Sequence, residues 1–320
     1  MDFFTHLVIG MSTALVTLRK FDEEFILLGI IMSILPDADI FLIPFNRKFK
    51  KYYLSHRGGS HSYIIGFITA LIVATIFKNV YNGSFIDYFI IGWLFYGLHV
   101  TCDLITTSRI PIFYPLSKRE YRFNVERAVN PLLMCSSFFI TFFSIWMVYK
   151  KISWSFRYFF RTMVFIVYYV YLFYKLMLKI IVQSLLQQNQ IYIPGLLPIV
   201  YYIYEKRDFK NYIKFRLMKK VLLIQLKILI FESLIYKNSP KYELIRKSLE
   251  LSKKYRFFSK WNCYIPFIIE QDSIIKSIIL LSESFGGNRA YSLLITYDNN
   301  KNTIIDYKDG FFKVKNLLQR

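Results

Sequence analysis

Apolar residues come in long runs through the first half of the chain and in shorter runs after Leu185. A membrane-spanning helix needs ~20 apolar residues. Five runs predict membrane helices: Phe3–Leu18, Phe25–Ile43, Ser62–Phe77, Phe85–Ile105 and Ala128–Tyr149. The fourth and fifth reach that length and the first three are shorter. A sixth run, Thr162–Tyr174, lies between basic residues, and it either spans the bilayer with its Lys and Arg snorkelling or lies at the interface.

The second half follows the pattern of a small mixed domain. Runs rich in Ile, Val and Tyr predict strands at Ile199–Tyr204, Val221–Phe231, Ala290–Tyr297 and Thr303–Tyr307. Lys241–Lys254 follows a proline and predicts a helix. We therefore expect a mainly α-helical multi-pass membrane domain at 1–150 with about five transmembrane helices. An amphipathic or sixth membrane helix at 151–185 then leads to a basic, cytosolic α+β domain at 186–320.

Composition agrees with a membrane protein. The 320 residues are 55% hydrophobic and include 32 Phe and 26 Tyr, whereas soluble domains have ~45–50% apolar residues. Lys and Arg number 42 against 21 acids, and most of the excess follows residue 150. This basic half is suited to anionic lipid or nucleic acid, although a solvated Lys-rich surface is the favoured interpretation.

Cysteines and terminal residues add two expectations. The three cysteines are scattered, which argues against a disulfide scaffold and suits a reducing compartment. The chain starts with an acid rather than the basic region of a signal peptide, so the first apolar run is expected to be retained.

The loops 46–60 and 106–127 carry most of the basic residues of the N-terminal half. The positive-inside rule therefore predicts that these loops, the N-terminus and the C-terminal domain lie in the cytoplasm, with the chain in the cell membrane.

All four histidines lie in the first 99 residues, at the ends of apolar runs or in loops beside them. Three aspartates occupy similar positions. Starts of odd-numbered helices and ends of even-numbered helices share one membrane face, so connectivity alone brings these side chains together. The predicted metal ligands are His6, Asp37, Asp39, His56, His61, His99 and Asp103.

Local spacing supports this metal site. His99 and Asp103 are four residues apart, so a helix points both to one side. Asp37 and Asp39 follow a proline that bends or ends a helix. Arg57 offers a planar fork to a phosphate or carboxylate.

Two further expectations concern the loop before the third helix. Gly58 and Gly59 are expected to allow a sharp turn between the two histidines of this loop. Ser60 is then the candidate N-cap of the helix.

Seven imidazole and carboxylate ligands suffice for two ions, and this donor set suits Zn, Mn or Fe. Such a pair supplies activated water and polarises a substrate oxygen, which is hydrolase chemistry. In this mechanism Asp37 or Asp39 bridges the ions or acts as general base, and Arg57 binds the substrate phosphate. Against it, a single histidine at a membrane interface is usually a hydrogen-bonded anchor, and an acid that ends a helix is often only a loop residue. The convergence of all seven favours the metal site.

Ordered motifs over residues 1–131 carry a family resemblance. MDxxTH, LPDxD, HRGxxHS and HxxxD, followed by a threonine-rich turn and PLS, resemble the YdjM-like family, and the basic tail resembles its longer YfhP-type members. That family is described as inner-membrane-associated, metal-dependent hydrolases, some called LexA-binding. It is distantly similar to zinc-dependent phospholipase C and the P1 nucleases, which implies phosphoester hydrolysis.

The resemblance implies the same seven metal positions, supported by Arg57, Ser62, Thr106 and Thr107. This chain has Ser108-Arg109 where many members have a glycine, and Asn130 where many have an aspartate before proline. Those departures concern substrate geometry rather than the metal site.

Three functions are compatible with these features. The first is a membrane-embedded hydrolase with a divalent metal, Zn or Mn and two ions, acting on a phosphoester such as a phospholipid. The alternative is a membrane-tethered regulator that binds DNA or a repressor through the basic C-terminal domain, although no nucleic-acid-binding motif supports it. A transporter ranks lowest, because the charged groups lie at helix ends rather than near the midplane.

Overall fold

A computed structural model of the chain describes residues 1–19, 22–49, 51–222, 226–271, 274–298, 303–314 and 317. They form two compact units, Met1–Met177 and Leu178–Arg320. The division falls inside the segment expected to connect the membrane domain to the C-terminal domain.

The first unit is helical. Its helices are α1 Phe3–Thr17, α2 Glu23–Ile34, α3 Ile43–Phe49, α4 Tyr63–Tyr81, α5 Phe85–Leu104, α6 Pro131–Tyr149 and α7 Trp154–Ser184, whose last turns continue into the second unit. A 3-10 helix, Leu35–Leu42, joins α2 to α3, and another occupies Tyr52–Leu54. Pro36 lies at the start of the first of these, where it ends the α-helical hydrogen bonding of α2.

Five helical segments of the described chain are long and apolar enough to cross a membrane. They are Glu23–Asn46, Tyr63–Tyr81, Phe85–Leu104, Pro131–Tyr149 and Trp154–Ser184. The chain is therefore a multi-pass membrane protein. The first run, predicted to span, forms a shorter helix of 15 residues, or ~22 Å. By contrast, the uncertain sixth run belongs to a helix of 31 residues, or ~46 Å, which exceeds the ~30 Å hydrocarbon core.

Helix starts depend on polar caps. Ser62 caps α4, because its Oγ accepts from Ile64 N, and it also donates to the carbonyl oxygen of Tyr114 at 2.6 Å. The prediction that Ser60 is this cap is wrong. Ser60 lies two residues before the cap, where its hydroxyl contacts the carboxylate of Asp39 instead.

The helices of the first unit pack closely where side chains are small. A Cβ at Gly66 would lie 2.4 Å from Cδ1 of Tyr96, so α4 and α5 can approach each other only with glycine at this position. The hydroxyl of Tyr96 donates to the carbonyl oxygen of Ser60 at 2.6 Å. This contact between α4 and α5 therefore fixes the loop that precedes α4.

Helix α7 is held to the unit by polar contacts. The hydroxyl of Tyr168 lies 2.6 Å from Ser137 Oγ on α6, and that of Tyr169 lies 2.9 Å from Thr13 Oγ1 on α1. Such hydroxyl contacts join helices where lipid offers no hydrogen-bonding alternative. They identify α7 as a packed member of the helical unit.

The second unit contains two antiparallel four-stranded sheets, each with its strands in sequence order. The first holds β1 Gln190–Pro194, β2 Val200–Asp208, β3 Tyr212–Val221 and β4 Leu226–Tyr236. The second holds β5 Tyr264–Gln271, β6 Ile274–Leu281, β7 Arg289–Asp298 and β8 Ile304–Lys313. Helices α8 Pro240–Ser252 and α9 Arg256–Lys260 connect them. Leu217, Ile265 and Leu280 belong to one core cluster, which draws on both sheets.

This unit agrees with the expected α+β class and is richer in strands than predicted. Strands β2, β7 and β8 and helix α8 match predicted elements. The prediction of a single strand over Val221–Phe231 is wrong, since β3 ends at Val221 and β4 begins at Leu226; residues 223–225 lie outside the described part. Strands β1, β3, β5 and β6 were not predicted.

Candidate metal centre

Four side chains from three parts of the helical unit meet at one buried point. Each offers one oxygen or nitrogen, and these atoms all lie within 4.8 Å of one another. The group consists of Asp37, His61, His99 and Asp103. The 3-10 helix after α2 supplies the first residue, the loop before α4 the second, and the last two turns of α5 the others.

Distances within this cluster suit a four-coordinate ion. His61 Nε2 lies 3.4 Å from Asp37 Oδ1, 3.2 Å from Asp103 Oδ2 and 3.3 Å from His99 Nε2. His99 Nε2 lies 3.7 Å from Asp37 Oδ1. A tetrahedral zinc site with bonds of 2.0–2.2 Å has neighbouring ligand atoms about 3.3–3.6 Å apart. These four ligand pairs are close to this spacing, and the other two pairs lie within 4.8 Å.

Hydrogen bonds on the outer side of each ring set its orientation. His99 Nδ1 lies 2.7 Å from the carbonyl oxygen of Ser33, which can only accept, so the ring donates from Nδ1. His61 Nδ1 faces Asp39 Oδ2 at 3.3 Å and Ser60 Oγ at 3.0 Å. Both rings therefore direct an Nε2 lone pair into the cluster, as metal-binding imidazoles do.

A buried carboxylate oxygen without a hydrogen-bond donor indicates whether a cation fits this cluster. Asp37 Oδ1 is buried, and no donor in the described part of the chain reaches it in hydrogen-bonding geometry. Burying such an acceptor is costly unless it is paired. Two imidazole lone pairs and a second carboxylate face the same point, so a divalent cation is the group that this donor set accommodates.

Asp39 was predicted as a ligand and catalytic residue, and the structure places it behind the cluster. Its carboxylate contacts four groups at short range. They are His56 Nδ1 at 2.6 Å, the Arg57 amide at 2.9 Å, Ser60 Oγ at 2.5 Å and His61 Nδ1 at 3.3 Å. Asp39 therefore holds the 56–61 loop and orients the His61 ring, which is the usual role of a carboxylate behind a metal-binding histidine.

Arg57 was predicted to bind a substrate phosphate, and its guanidinium faces Asp103 instead. Nε lies 2.9 Å from Asp103 Oδ2 and Nη2 lies 3.1 Å from Oδ1. The amino group of Met1 also contacts this carboxylate. The guanidinium thus compensates the negative charge of Asp103, which is fully buried and is itself one of the four residues of the cluster.

The backbone of this loop makes two successive turns between His56 and His61. Arg57 adopts φ 58°, in the left-handed region that side chains other than glycine seldom occupy, within a turn closed by Gly58 N and the Ser55 carbonyl oxygen. The turn expected at the two glycines follows directly, closed by His61 N and the Gly58 carbonyl oxygen at 3.3 Å. Gly58 also leaves no room for a side chain, because a Cβ there would lie 2.5 Å from the carbonyl oxygen of Ser55.

His6 and His56 flank the four-residue cluster. His6 Nε2 lies 3.3 Å from Asp103 Oδ1, and its ring stacks on His99 with centroids 3.7 Å apart. His56 binds Asp39 through Nδ1, and its side chain is 29% exposed, the most of the seven predicted ligands. The open side of the centre is therefore the side of His56.

Thr106 and Thr107, predicted to support the site, anchor the segment after α5. Thr106 Oγ1 donates to the carbonyl oxygen of Asp103 at 2.8 Å, and Thr107 Oγ1 accepts from Ala128 N at 3.1 Å. Sequence reasoning missed Glu126, which pairs through its backbone with Ile105 and Thr106.

The Glu126 side chain is fully buried. It accepts from the hydroxyl of Tyr171 at 2.5 Å and lies 3.4 Å from Lys175 Nζ, both on α7. The signal for this pair was Lys175 itself, a cation within an apolar run, because such a charge needs a partner.

Comparison with known proteins gives one family. A family model described as YdjM inner membrane protein matches residues 1–180. That range contains helices α1–α6, most of α7 and the whole cluster. No curated protein and no solved structure matches the chain.

Proposed function

The chain belongs to the YdjM inner membrane protein family, and on this premise we propose that it is a membrane-embedded, metal-dependent hydrolase of phosphoesters. The observation that carries the proposal is the buried cluster of two imidazoles and two carboxylates with ion-binding spacing. Zinc or manganese suits these donors. When bound, such an ion supplies a Lewis acid and an activated water, which are the requirements of phosphoester hydrolysis.

The protein residues have distinct tasks in this proposal. Asp37, His61, His99 and Asp103 bind the ion. Asp39 fixes the ring of His61. The substrate phosphoester approaches from the partly exposed side of the centre, and the positive-inside distribution of loop charges supports a cytoplasmic location of that side.

The predicted second ion remains a prediction. In the described chain, one group of four residues has the spacing of a single site. His6 lies beside it on Asp103 Oδ1, so a second ion would have to share that carboxylate. Metal analysis of the detergent-purified protein measures the number of ions directly.

Activity tests the proposal. Purified protein reconstituted with Zn²⁺ or Mn²⁺ should hydrolyse bis(p-nitrophenyl) phosphate or a phospholipid, and His99→Ala should reduce the rate to background. Tyr149→Ala, at an exposed position at the end of α6, is the control and should keep the wild-type rate. Full activity in a folded His99→Ala protein would reject the assignment of the centre. Absence of hydrolysis in metal-loaded wild type, with both substrate classes, would reject the reaction.

A further inference from the structure

Two segments beside the metal centre expose apolar side chains. The first covers residues 40–53, directly after Asp39, and the second covers 113–123, between α5 and α6; together they are called the rim. Phe41 is 78% exposed and Leu116 is 84% exposed. The other large apolar side chains of the rim that are exposed are Ile40, Leu42, Phe45, Phe49, Tyr53, Phe113 and Phe123. Large apolar side chains left exposed in such number within two short segments indicate an interaction surface.

The two segments are connected to each other and to the centre. The hydroxyl of Tyr52 donates to Glu120 Oε1 at 2.9 Å, and its ring lies 5.8 Å from that of Tyr114. Burial of the hydroxyl is the larger cause, and the nearby Glu120 carboxylate the smaller cause, of a raised pKa of Tyr52. This hydroxyl therefore remains a donor. The carbonyl oxygen of Tyr114 accepts from Ser62, at the end of the histidine loop.

The rim is also basic. Four of its described cations, Lys48, Lys51, Lys118 and Arg119, are exposed, and Arg122 is partly buried. Glu120 is its one acidic residue. Lys48 lies over the ring of Phe49, 5.7 Å from its centroid. Aromatic and apolar side chains interspersed with Lys and Arg are typical of surfaces at the headgroup level of a membrane.

The position of the rim in the chain identifies its occupant. Candidate membrane spans are neighbours of both segments in the chain: Glu23–Asn46 runs into the first, and the second lies in the connection between Phe85–Leu104 and Pro131–Tyr149. The bilayer surface is therefore adjacent to the rim. The excess of cations favours anionic over zwitterionic lipid.

We propose that the rim is a binding surface for the headgroups of anionic phospholipids, holding them beside the metal centre. This proposal of lipid binding depends only on the exposed apolar and basic side chains of the rim and their position beside the candidate spans. The further step, that a bound lipid phosphoester is the substrate, rests on the proposed hydrolase function.

Lipid selectivity tests the binding step without any activity. The full chain in bilayers is probed with spin-labelled phosphatidylglycerol and phosphatidylcholine, and the motionally restricted fraction of each is compared. We expect a several-fold preference of the wild type for phosphatidylglycerol. The variant Lys48→Gln/Lys51→Gln/Lys118→Gln/Arg119→Gln should lose most of it.

A matched control removes the same charge elsewhere. The variant Lys210→Gln/Lys253→Gln/Lys254→Gln/Lys313→Gln changes four exposed cations of the second unit and should keep the preference. Full selectivity in the rim variant, or equal losses in both variants, would overturn the proposal. Selective binding without hydrolysis would support the rim and reject the substrate role.

Depth measurements separate a lipid surface from a docking site for a soluble protein. Cys135 is exposed, whereas Cys102 and Cys263 are buried, so Cys135→Ser gives a background for site-directed labelling. Spin labels at Phe41→Cys and Leu116→Cys should be more accessible to oxygen than to chromium oxalate. Higher accessibility to chromium oxalate at both positions would place the rim in water and reject lipid binding.

Discussion

Asp37→Asn tests the metal centre with a change that keeps the shape of the side chain. The substitution removes the negative charge of Asp37, and an amide is a weaker ligand than a carboxylate. Asp37 Oδ1 lies 3.4 Å from His61 Nε2 and 3.7 Å from His99 Nε2 and meets no hydrogen-bond donor in the described chain. A neutral amide should therefore weaken ion binding while leaving the fold intact.

The size of the effect follows from the number of ligands. Four-ligand zinc sites bind with roughly 12 kcal/mol, or about 3 kcal/mol per ligand, so losing one costs about 100-fold in affinity. At a metal concentration 100 times the wild-type Kd, binding stabilises the wild type by about 2.7 kcal/mol and the variant by about 0.4 kcal/mol. For a unit of this size this is a Tm increase of about 5–10 °C for the wild type and about 1–2 °C for the variant.

Thermal unfolding in detergent, with and without Zn²⁺ after chelator treatment, measures both quantities. Without metal, the Tm of Asp37→Asn should equal or exceed that of the wild type, because the variant relieves repulsion between Asp37 and Asp103. Asp87→Asn, the same chemical change at an exposed residue in the first turn of α5, should show the wild-type response. An undiminished metal-induced increase in Asp37→Asn would show that this carboxylate is not a ligand.

Three other substitutions test the surroundings of the centre. Asp39→Asn should lower zinc affinity about 10–100-fold by loosening the His61 ring, which titration against a chromophoric chelator measures; unchanged affinity would contradict the orienting role. Lys175→Met should destabilise the unit by roughly 3–5 kcal/mol because it leaves the carboxylate of Glu126 uncompensated. Adding Glu126→Gln should recover part of this loss in denaturant unfolding, and additive losses would disprove the pairing. Ser62→Ala should cost about 1 kcal/mol through loss of the α4 cap, and a Tm equal to that of the wild type would contradict this.

Connectivity explains why much of the centre could be predicted. Alternating helices place helix ends on one face, and ionisable residues at those ends are costly enough to signal a purpose. Sequence reasoning therefore brought His61, His99, Asp37 and Asp103 to one place. It could not rank the seven candidates, because ligands and supporting residues are of the same types and can be close neighbours in the chain. Asp37 joins the cluster, whereas Asp39, two residues later, supports it through hydrogen bonds.

Other features depend on contacts that no local pattern reveals. The left-handed backbone at Arg57 follows from how the loop meets Asp39, and the buried partner of Lys175 lies 49 positions earlier in the chain, at Glu126. In the second unit, β6 is buried on both faces over its second half and loses the alternation that identifies half-buried strands, so it was not predicted. The alternative regulatory role of this basic unit remains a prediction.

The spread of the ligands along the chain has a consequence for biogenesis. The first lies on the 3-10 helix after α2 and the last in the final turn of α5, so a nascent chain cannot complete the ion-binding pocket until that helix has left the ribosome and entered the bilayer. Until then, the aspartate and histidine side chains already synthesised must lie in the interfacial region of the membrane without the other ligands of the site. Metallation is therefore expected to follow insertion, and zinc limitation should leave an inserted but protease-sensitive intermediate.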